Sequence, residues 1–454
     1  MFPLLAESPN PVPLTPLTAE GISALDPPTR AWVEATGFKA APGSFLLVPG
    51  EARALERVLV GRGTPPDLWT LASLPDALPE GSYRLDPEPR EAEASQWALG
   101  WALGAYGFTR YKPRARKPAH LLWPTSADRS WVERLARSIT LARDLINTPA
   151  EHMGPADLAQ AAQALASRHG ARVRVVVGDE LLSQNYPSIH AVGRASVNAP
   201  RLIDIRWGEA PAPLIALIGK GVCFDSGGLD LKTAAGMKMM KKDMGGAATI
   251  LGLAEAIMAA GLPVRLRVLV PAVENAVAGN AFRPLDVIAT RKGLHVEIGN
   301  TDAEGRLILA DALTEAQSET PALIIDMATL TGAARAALGP ELPAMFCNDD
   351  AIAEALLASA AGVADPLWRL PLWQPYRKLL NSTVADLNNA PDSPFAGAIL
   401  AALYLQEFVE EGTPWVHIDT YAWNQAARPG RPEGGEALGL RALYDFIARR
   451  FAAR

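Results

Sequence analysis

The chain has 454 residues, 49% of them hydrophobic and 20% charged, which is enough apolar content for a large core divided between two or three domains. A formal net charge of −6 with a pI near 5.7 argues against a broad phosphate-binding surface, and two cysteines allow at most one disulfide and no cysteine-rich metal site. No uninterrupted apolar run reaches the roughly 18 to 20 residues of a membrane helix, and Met1 to Pro9 lacks the basic region and long apolar stretch of a secretory signal, so a cytoplasmic location without membrane association is expected.

From Ser44-Phe45-Leu46-Leu47-Val48 to about residue 110, short apolar runs alternate with Ala-rich, Pro-rich and polar segments, which predicts a small α/β domain over 1–125. Tyr111 to Pro118 is basic and punctuated by proline and reads as a linker or exposed hairpin, solvated rather than a nucleic-acid patch. Trp131 to Ile146 carries Leu135, Ile139, Leu141 and Leu145 near helical spacing, which predicts a linker helix near 130–147 at the start of a second domain, 126–454. Beyond it, apolar runs at Val173–Val177, Leu202–Ile205, Leu214–Ile218, Leu266–Val270 and Leu323–Met327 alternate with Ala-rich helical segments. The predicted class is α/β: a mostly parallel sheet flanked by helices in the C-terminal domain, with a smaller N-terminal α/β domain.

Two clusters in the second domain carry chemistry. The first runs Lys220-Gly221-Val222-Cys223-Phe224-Asp225-Ser226-Gly227-Gly228, followed by Lys232 and by Lys241-Lys242-Asp243-Met244-Gly245-Gly246. Lys220 and Asp225 fall just past the strand Leu214–Ile218, where ligands of open α/β sheets gather. Asp225 also fits a plain turn residue, Asp243 the N-cap of a helix over Ala247 to Ala260, and Lys238, Lys241 and Lys242 a solvated face. The second cluster, Asn300-Thr301-Asp302-Ala303-Glu304-Gly305-Arg306-Leu307, lies between a strand pattern at Leu294–Ile298 and a helical one from Leu307. Thr301 followed three residues later by Glu304 fits a capping box as well.

Together the clusters supply four carboxylates, two lysines and an arginine at strand ends or helix starts of what reads as one sheet. So many carboxylates need cations nearby to stay ionised, and two metals with shared carboxylates use the oxygens best. Six scattered histidines form no His-Glu-x-x-His pair, Ser226 lies in no Gly-x-Ser-x-Gly elbow, and Gly219-Lys220-Gly221 lacks the spacing of a phosphate loop. Cys223 reads as a small buried residue.

These residues resemble the leucyl aminopeptidases, or cytosol aminopeptidases, a family of two-metal exopeptidases whose signature octapeptide matches Asn300 to Leu307. The resemblance is strongest from 214 to 335 and implies two divalent ions per subunit, manganese or zinc, bridged by Asp225 and Glu304. It implies further that Lys220 and Asp243 complete one shell and Asp302 the other. A lysine ligand must be neutral, so Lys220 is expected to have a depressed pKa when a cation holds it. Lys232 is implied as the stabiliser of the oxyanion, with a solvated surface lysine as its plain alternative, and Arg306 as the proton-shuttling residue through a bound bicarbonate. A side-chain pocket of Met240, Asn300, Ala303, Thr329, Leu330 and Gly332 is implied to prefer leucine-like first residues of peptide substrates.

The resemblance also implies a homohexamer. One departure bears on specificity. Where the family carries Asp-Ile-Ala-Gly after a late histidine, this chain reads His417-Ile418-Asp419-Thr420-Tyr421-Ala422-Trp423-Asn424, so Tyr421 or Trp423 is expected to reshape the pocket. Some members of the family contact DNA, which the net charge argues against here.

Overall fold

The computed structural model describes residues 3–51 and 54–452. It divides into two compact units: one holds the chain up to Thr140 together with Gln425–Glu433, the other Leu141–Asn424 and the chain from Gly434 onward.

In the described residues of the first unit, six strands pair in the order Leu4–Leu5, His120–Leu122, Ser82–Leu85, Val12–Leu17, Leu55–Gly61 and Phe45–Pro49. All neighbours are parallel except Phe45–Pro49, which runs antiparallel to Leu55–Gly61 at the edge. Local chemistry sets its first long helix, Pro27–Thr36. Asp26 accepts from the Thr29 N–H at 3.0 Å, prolines occupy the first turn where no donor is needed, and Gly37 ends the helix at φ 68°. The helix Glu91–Gly104 buries Trp97 and Trp101, the latter 6.4 Å from the Tyr83 ring of the sheet. Tyr111–Pro118 is an irregular loop and no hairpin, with Arg114 paired to Asp76 at 3.1 Å and bonded to the Tyr106 carbonyl at 2.7 Å.

The helix Arg129–Asn147 covers the predicted amphipathic run, and its Leu135, Ile139, Ala142 and Ile146 are buried. In the second unit all five predicted strands form and belong to a single sheet. Its order is Trp368–Arg369, Ala344–Cys347, Trp415–Asp419, Leu323–Ala328, Leu214–Gly219, Arg265–Asn275, Arg201–Trp207 and Arg172–Val177, with Gly221–Asp225 also paired to Arg265–Asn275. The central strands from Trp415–Asp419 to Arg265–Asn275 are mutually parallel, and antiparallel pairings occur toward both flanks. Leu214–Gly219 and Leu323–Ala328 are buried at every residue, as continuous apolar runs covered on both faces must be.

The stretch Met240–Ala260 is long and apolar enough to cross a membrane by composition, but 89% of its apolar window is buried inside the protein. It is a 3₁₀ turn, Met240–Met244, continuing into the helix Gly245–Ala260, which packs on Leu214–Gly219 and Leu323–Ala328. One expectation changes here. The strand predicted at Leu294–Ile298 is only His295–Glu297, and it lies in a separate three-stranded sheet with Val287–Ala289 and Leu387–Asn388. The second acidic cluster therefore follows a strand of the small sheet, not of the main one.

Candidate active site

Lys220 is the single residue between two consecutive strands. Its N–H donates to the Met327 carbonyl at 3.0 Å and its carbonyl accepts from Ala247 at 2.9 Å, so its backbone is fixed between the central strand and the buried helix. The side chain runs over Gly305, where a Cβ would lie 2.6 Å from Lys220 Cε, and ends 2.7 Å from Asp243 Oδ2 and 2.9 Å from Glu304 Oε1. Lys220 Nζ also donates to the Thr329 carbonyl at 3.0 Å.

Asp225 closes the strand Gly221–Asp225. Its Oδ1 accepts from the Gly227 N–H at 2.8 Å and from Asn275 Nδ2 at 2.9 Å. Gly227 and Gly228 adopt φ of 89° and 68°, the left-handed region where a side chain would be strained, and the resulting turn brings Lys232 back to Asp225. Lys232 Nζ lies 2.8 Å from Asp225 Oδ2 and 2.5 Å from Asp302 Oδ1. It is no solvated surface lysine, since its side chain is only 15% exposed.

Asp243 does not cap a helix. It sits within the 3₁₀ turn, the following helix begins after Met244, and Asp243 Oδ1 instead accepts from the Thr329 hydroxyl at 2.7 Å. The capping box at Thr301 is absent too, because the helix Glu304–Ala316 starts from Ala303 and has no side-chain cap. Thr301 Oγ1 donates to the Gly227 carbonyl at 2.6 Å and accepts from the Asp230 N–H at 2.8 Å, tying the two clusters together.

Two asparagines that carry no signal in the sequence organise this loop. Asn275 Nδ2 bridges Asp225 and the Thr301 carbonyl, the latter at 3.0 Å. Asn389, fully buried, accepts from the Gly299 and Asn300 N–H groups at 2.8 and 3.3 Å and donates to the Asn300 and Ala303 carbonyls at 2.9 and 3.2 Å. Its own carbonyl takes the Arg306 guanidinium through Nη1. Arg306 is buried, which lowers its pKa, and its Nε has no partner among the described residues.

The electrostatics are those of crowded acids. Burial first, then repulsion from Asp225, pushes Glu304 up to about 8, and the same two causes push Asp302 up to about 6. Burial alone would lower Lys220, but Asp243, Glu304 and Asp225 outweigh it and raise its pKa, the opposite of what a metal-bound amine requires. A cation would reverse that balance by taking over the carboxylates that hold the proton on. Asp225, Asp302 and Glu304 each place an oxygen within 4.8 Å of the others, and the buried Glu304 Oε2 accepts no hydrogen bond among the described residues. This donor set fits small divalent cations bound mainly by oxygen.

Beside the cluster lies a cavity of about 400 Å³. Lys220, Asp225, Lys232, Asp243 and Asp302 line it together with four of the predicted pocket residues, Met240, Thr329, Leu330 and Gly332. Asn300 and Ala303 are not on its wall; they are the loop residues that Asn389 clasps. The loop after the strand Trp415–Asp419 contributes Tyr421, which lines the cavity, whereas Trp423 pairs with Gly435 in a two-stranded ribbon and its ring centroid lies 5.3 Å from Lys241 Nζ. The lysine run is also not a solvated face. Lys238 is exposed, but Lys241 bonds the Asn147 carbonyl at 2.7 Å and Lys242 is buried, which lowers its pKa to about 8. Cys223 is a buried free thiol, as is Cys347, and Ser226 is structural, donating to the Asn275 carbonyl at 2.7 Å.

An α/β protein that gathers carboxylates and lysines on one cavity has the make-up of an enzyme site, and comparison with known proteins narrows the class. Residues 140–444 match the cytosol aminopeptidase family, catalytic domain, and residues 12–124 match the M17 aminopeptidase, N-terminal domain. A probable cytosol aminopeptidase from Geobacter sp. (strain M21) is 42% identical over 80% of this chain and 76% of its own. The crystal structure of cytosol aminopeptidase from Coxiella burnetii superposes with a TM-score of 0.94 at 47% identity, covering 99% of each chain. The bottromycin maturation enzyme BotP, solved in complex with Mn, gives 0.87 at 32% identity over 97% of this chain and 99% of that one. The chain belongs to the cytosol aminopeptidase family. Its activity is that of an aminopeptidase, a hydrolase acting on peptides.

Proposed function

We propose that the chain is a dinuclear metallo-aminopeptidase that releases the first residue of a peptide at the cavity beside Asp225 and Glu304. The observation that carries this reading is the convergence of three carboxylates within 4.8 Å, one of them the buried Glu304 with an oxygen that nothing among the described residues satisfies. Asp225 and Glu304 would be shared between the ions, with Lys220 and Asp243 on one side and Asp302 on the other. Two divalent ions, manganese or zinc, when bound make water nucleophilic at neutral pH and polarise the scissile carbonyl.

The remaining work falls to the protein's own groups. Lys232 keeps a positive charge on the cavity wall, its pKa raised because Asp225 and Asp302 outweigh the effect of burial, and that charge stabilises the oxyanion as it develops. Arg306, whose Nε has no partner among the described residues, would hold a small anion such as bicarbonate that passes the proton from water to the leaving amine. Met240, Thr329, Leu330 and Gly332 receive the first side chain, and their mostly apolar surface favours a leucine-like stem. With ions held by Asp225, Asp302 and Glu304, the free amino group of a peptide would be bound beside them, which would restrict cleavage to the first bond. The proposed assembly is a homohexamer in the cytoplasm, and a monomer by sedimentation at micromolar concentration would sink the hexamer.

The deciding assay is hydrolysis of leucine-4-nitroanilide after chelation and after return of manganese or zinc, beside an N-acetylated control. The expected result is activity that disappears with the metal, returns with it and requires the free amine. Equal hydrolysis of the acetylated compound, or activity indifferent to chelation, would overturn the reading.

A further inference from the structure

Asp419 closes the strand Trp415–Asp419 and lines the cavity, only 4% exposed, yet it stands apart from the carboxylates Asp225, Asp302 and Glu304 that converge on one another. Both of its oxygens are taken by one stretch of chain. Oδ1 accepts from the Leu330 N–H at 3.0 Å and the Thr331 N–H at 3.2 Å, and Oδ2 accepts from the Thr331 hydroxyl at 2.6 Å. The strands Leu323–Ala328 and Trp415–Asp419 pair as far as Ala328 opposite Asp419, where the Thr420 N–H reaches the Ala328 carbonyl at 2.9 Å. Past Ala328 the strand pairing ends, and the Asp419 side chain supplies the acceptors that buried backbone N–H groups still require. Thr331 Oγ1 also accepts from the Ala334 N–H at 3.0 Å, so the same contact fixes the start of the helix Gly332–Leu338.

Thr329, buried, lies between the end of the strand and the two residues that Asp419 grips. Its carbonyl accepts from Lys220 Nζ at 3.0 Å, and its hydroxyl donates to Asp243 Oδ1 at 2.7 Å. One residue therefore touches both groups proposed to complete the same ion's shell, one through its main chain and the other through its side chain. The carbonyl engages one N–H of the Lys220 amine, which restricts where the lone pair of a neutral amine can point. The hydroxyl holds Asp243 with its other oxygen, Oδ2, 2.7 Å from Lys220 Nζ. Thr329 follows the last residue of its strand, so the carboxylate beyond it is what secures both contacts. A charged acceptor suits that task, because its hydrogen bonds are shorter and stronger than those of a neutral one.

We infer that Asp419 is a positioning residue for the ion site, holding Leu330 and Thr331 so that Thr329 orients Lys220 and Asp243. Its own oxygens are committed to the loop, and it acts only through Thr329. This rests on the dinuclear reading above and adds to it a residue outside the ion ligands.

The test is calorimetric titration of manganese into the metal-free full-length chain, with urea unfolding of the same samples. The proteins are the native chain, Asp419→Ala, Asp419→Asn, Thr331→Val, Thr329→Val and the double variant Asp419→Ala/Thr329→Val. Asp419→Ala is expected to weaken manganese binding by about 10- to 100-fold, the range for groups that orient metal ligands. Asp419→Asn keeps an oxygen for the two N–H groups and should recover most of that loss. Thr329→Val deletes the hydroxyl on Asp243 and should weaken binding as well. Added to Asp419→Ala it should weaken binding by a smaller factor than it does alone, because both changes act through one loop.

Manganese binding within about threefold of native in folded Asp419→Ala, well short of the range expected of an orienting group, overturns the inference. So does a double variant in which the two losses multiply in full. Where Asp419→Ala does not fold, Thr331→Val decides in its place. It deletes the hydroxyl that Asp419 holds, and unchanged manganese affinity there overturns the inference equally. A fall in unfolding stability with unchanged affinity marks Asp419 as a loop cap and nothing more. If the native chain binds no manganese, the dinuclear reading itself fails; if it binds and only the variants do not respond, that reading stands.

Discussion

Two buried glutamates in the same unit, Glu304 and Glu436, have opposite electrostatics. Glu436 Oε1 accepts from Arg143 Nε at 3.1 Å and from the Ala437 N–H at 3.0 Å, while Oε2 accepts from Arg143 Nη2 at 2.9 Å and Asn424 Nδ2 at 2.8 Å. Burial would raise its pKa, but Arg143 and these hydrogen bonds outweigh burial and lower it. Glu304 is as deeply buried, faces two other carboxylates, leaves Oε2 unpartnered among the described residues and is pushed up to about 8. The folded chain satisfies both oxygens of Glu436, whereas at Glu304 Lys220 meets only Oε1 and does not offset burial and the neighbouring carboxylates. Burial alone therefore does not mark a functional carboxylate; unsatisfied oxygens among like charges do.

The same substitution at the two positions should break the comparison apart. Glu304→Gln is expected to lower kcat/KM for leucine-4-nitroanilide by about a thousandfold or more, the consequence of losing several kcal/mol of transition-state stabilisation. Bound metal, read by elemental analysis, should fall with it. The metal-free protein should nevertheless be no less stable, because a neutral amide removes a charge that burial and Asp225 both disfavour. A Glu304→Gln enzyme with native activity and full metal content would end the two-metal assignment.

Glu436→Gln should do the reverse. It removes the carboxylate that Arg143 meets through Nε and Nη2, a loss of about 3 kcal/mol by the usual cost of breaking a buried pair. Urea unfolding measures it. Metal content in the folded fraction should be unchanged, and a stability within about 0.5 kcal/mol of the native chain would refute the structural role given to this pair.

Much of this was legible in the sequence. The five long strands declared themselves because runs such as Leu214–Ile218 and Leu323–Met327 have no reason to be continuously apolar unless both faces are covered. Lys220, Asp225, Asp243, Asp302 and Glu304 stand out as charged residues at strand ends and glycine turns, Lys232 rests mainly on the family resemblance, and the fold brings all six to one place. Asn275 and Asn389 were invisible. Asn275 ends the strand Arg265–Asn275 and Asn389 follows the short strand Leu387–Asn388, and each acts on residues 26 to 90 positions away, which no local pattern betrays. Lys241 and Lys242 were misread for a related reason: two adjacent lysines suggest solvent, and only the 3₁₀ turn directs one onto Trp423 and the other onto Tyr421. The capping readings of Thr301 and Asp243 failed because both side chains are drawn into tertiary hydrogen bonds that a local motif cannot foresee.

Asn389 sharpens the comparison from the side of positioning. Its side chain fixes the loop that carries Asp302 and leads into Glu304, without lining the cavity. Asn389→Asp keeps its shape and its two acceptor contacts but removes the donors to the Asn300 and Ala303 carbonyls. A fall of about 10- to 100-fold in manganese affinity is expected, the range typical of groups that orient metal ligands. At saturating metal, most of the lost activity should return. If affinity is unchanged and only thermal stability drops, Asn389 is a structural residue and no more.

The smallest effect is in the acid limb of stability, and there the two glutamates again differ in sign. Glu436 has its folded pKa below the ordinary value of 4.5, so its contribution is fully present above that pH and is lost as pH falls through the folded value. Glu304 in the metal-free protein has its folded value raised to about 8, so its charge opposes folding above that range and the penalty fades as pH falls toward 4.5. Metal-free Glu436→Gln should accordingly lose part of the native protein's drop in stability below pH 4.5 while leaving the slope between 5 and 8 intact. Glu304→Gln should flatten the slope between about 5 and 8 and leave the acid limb alone. Urea midpoints measured across pH 3 to 8 on the two metal-free variants would separate these outcomes, and a shared profile would mean that the two carboxylates do not differ in the way their hydrogen bonds require.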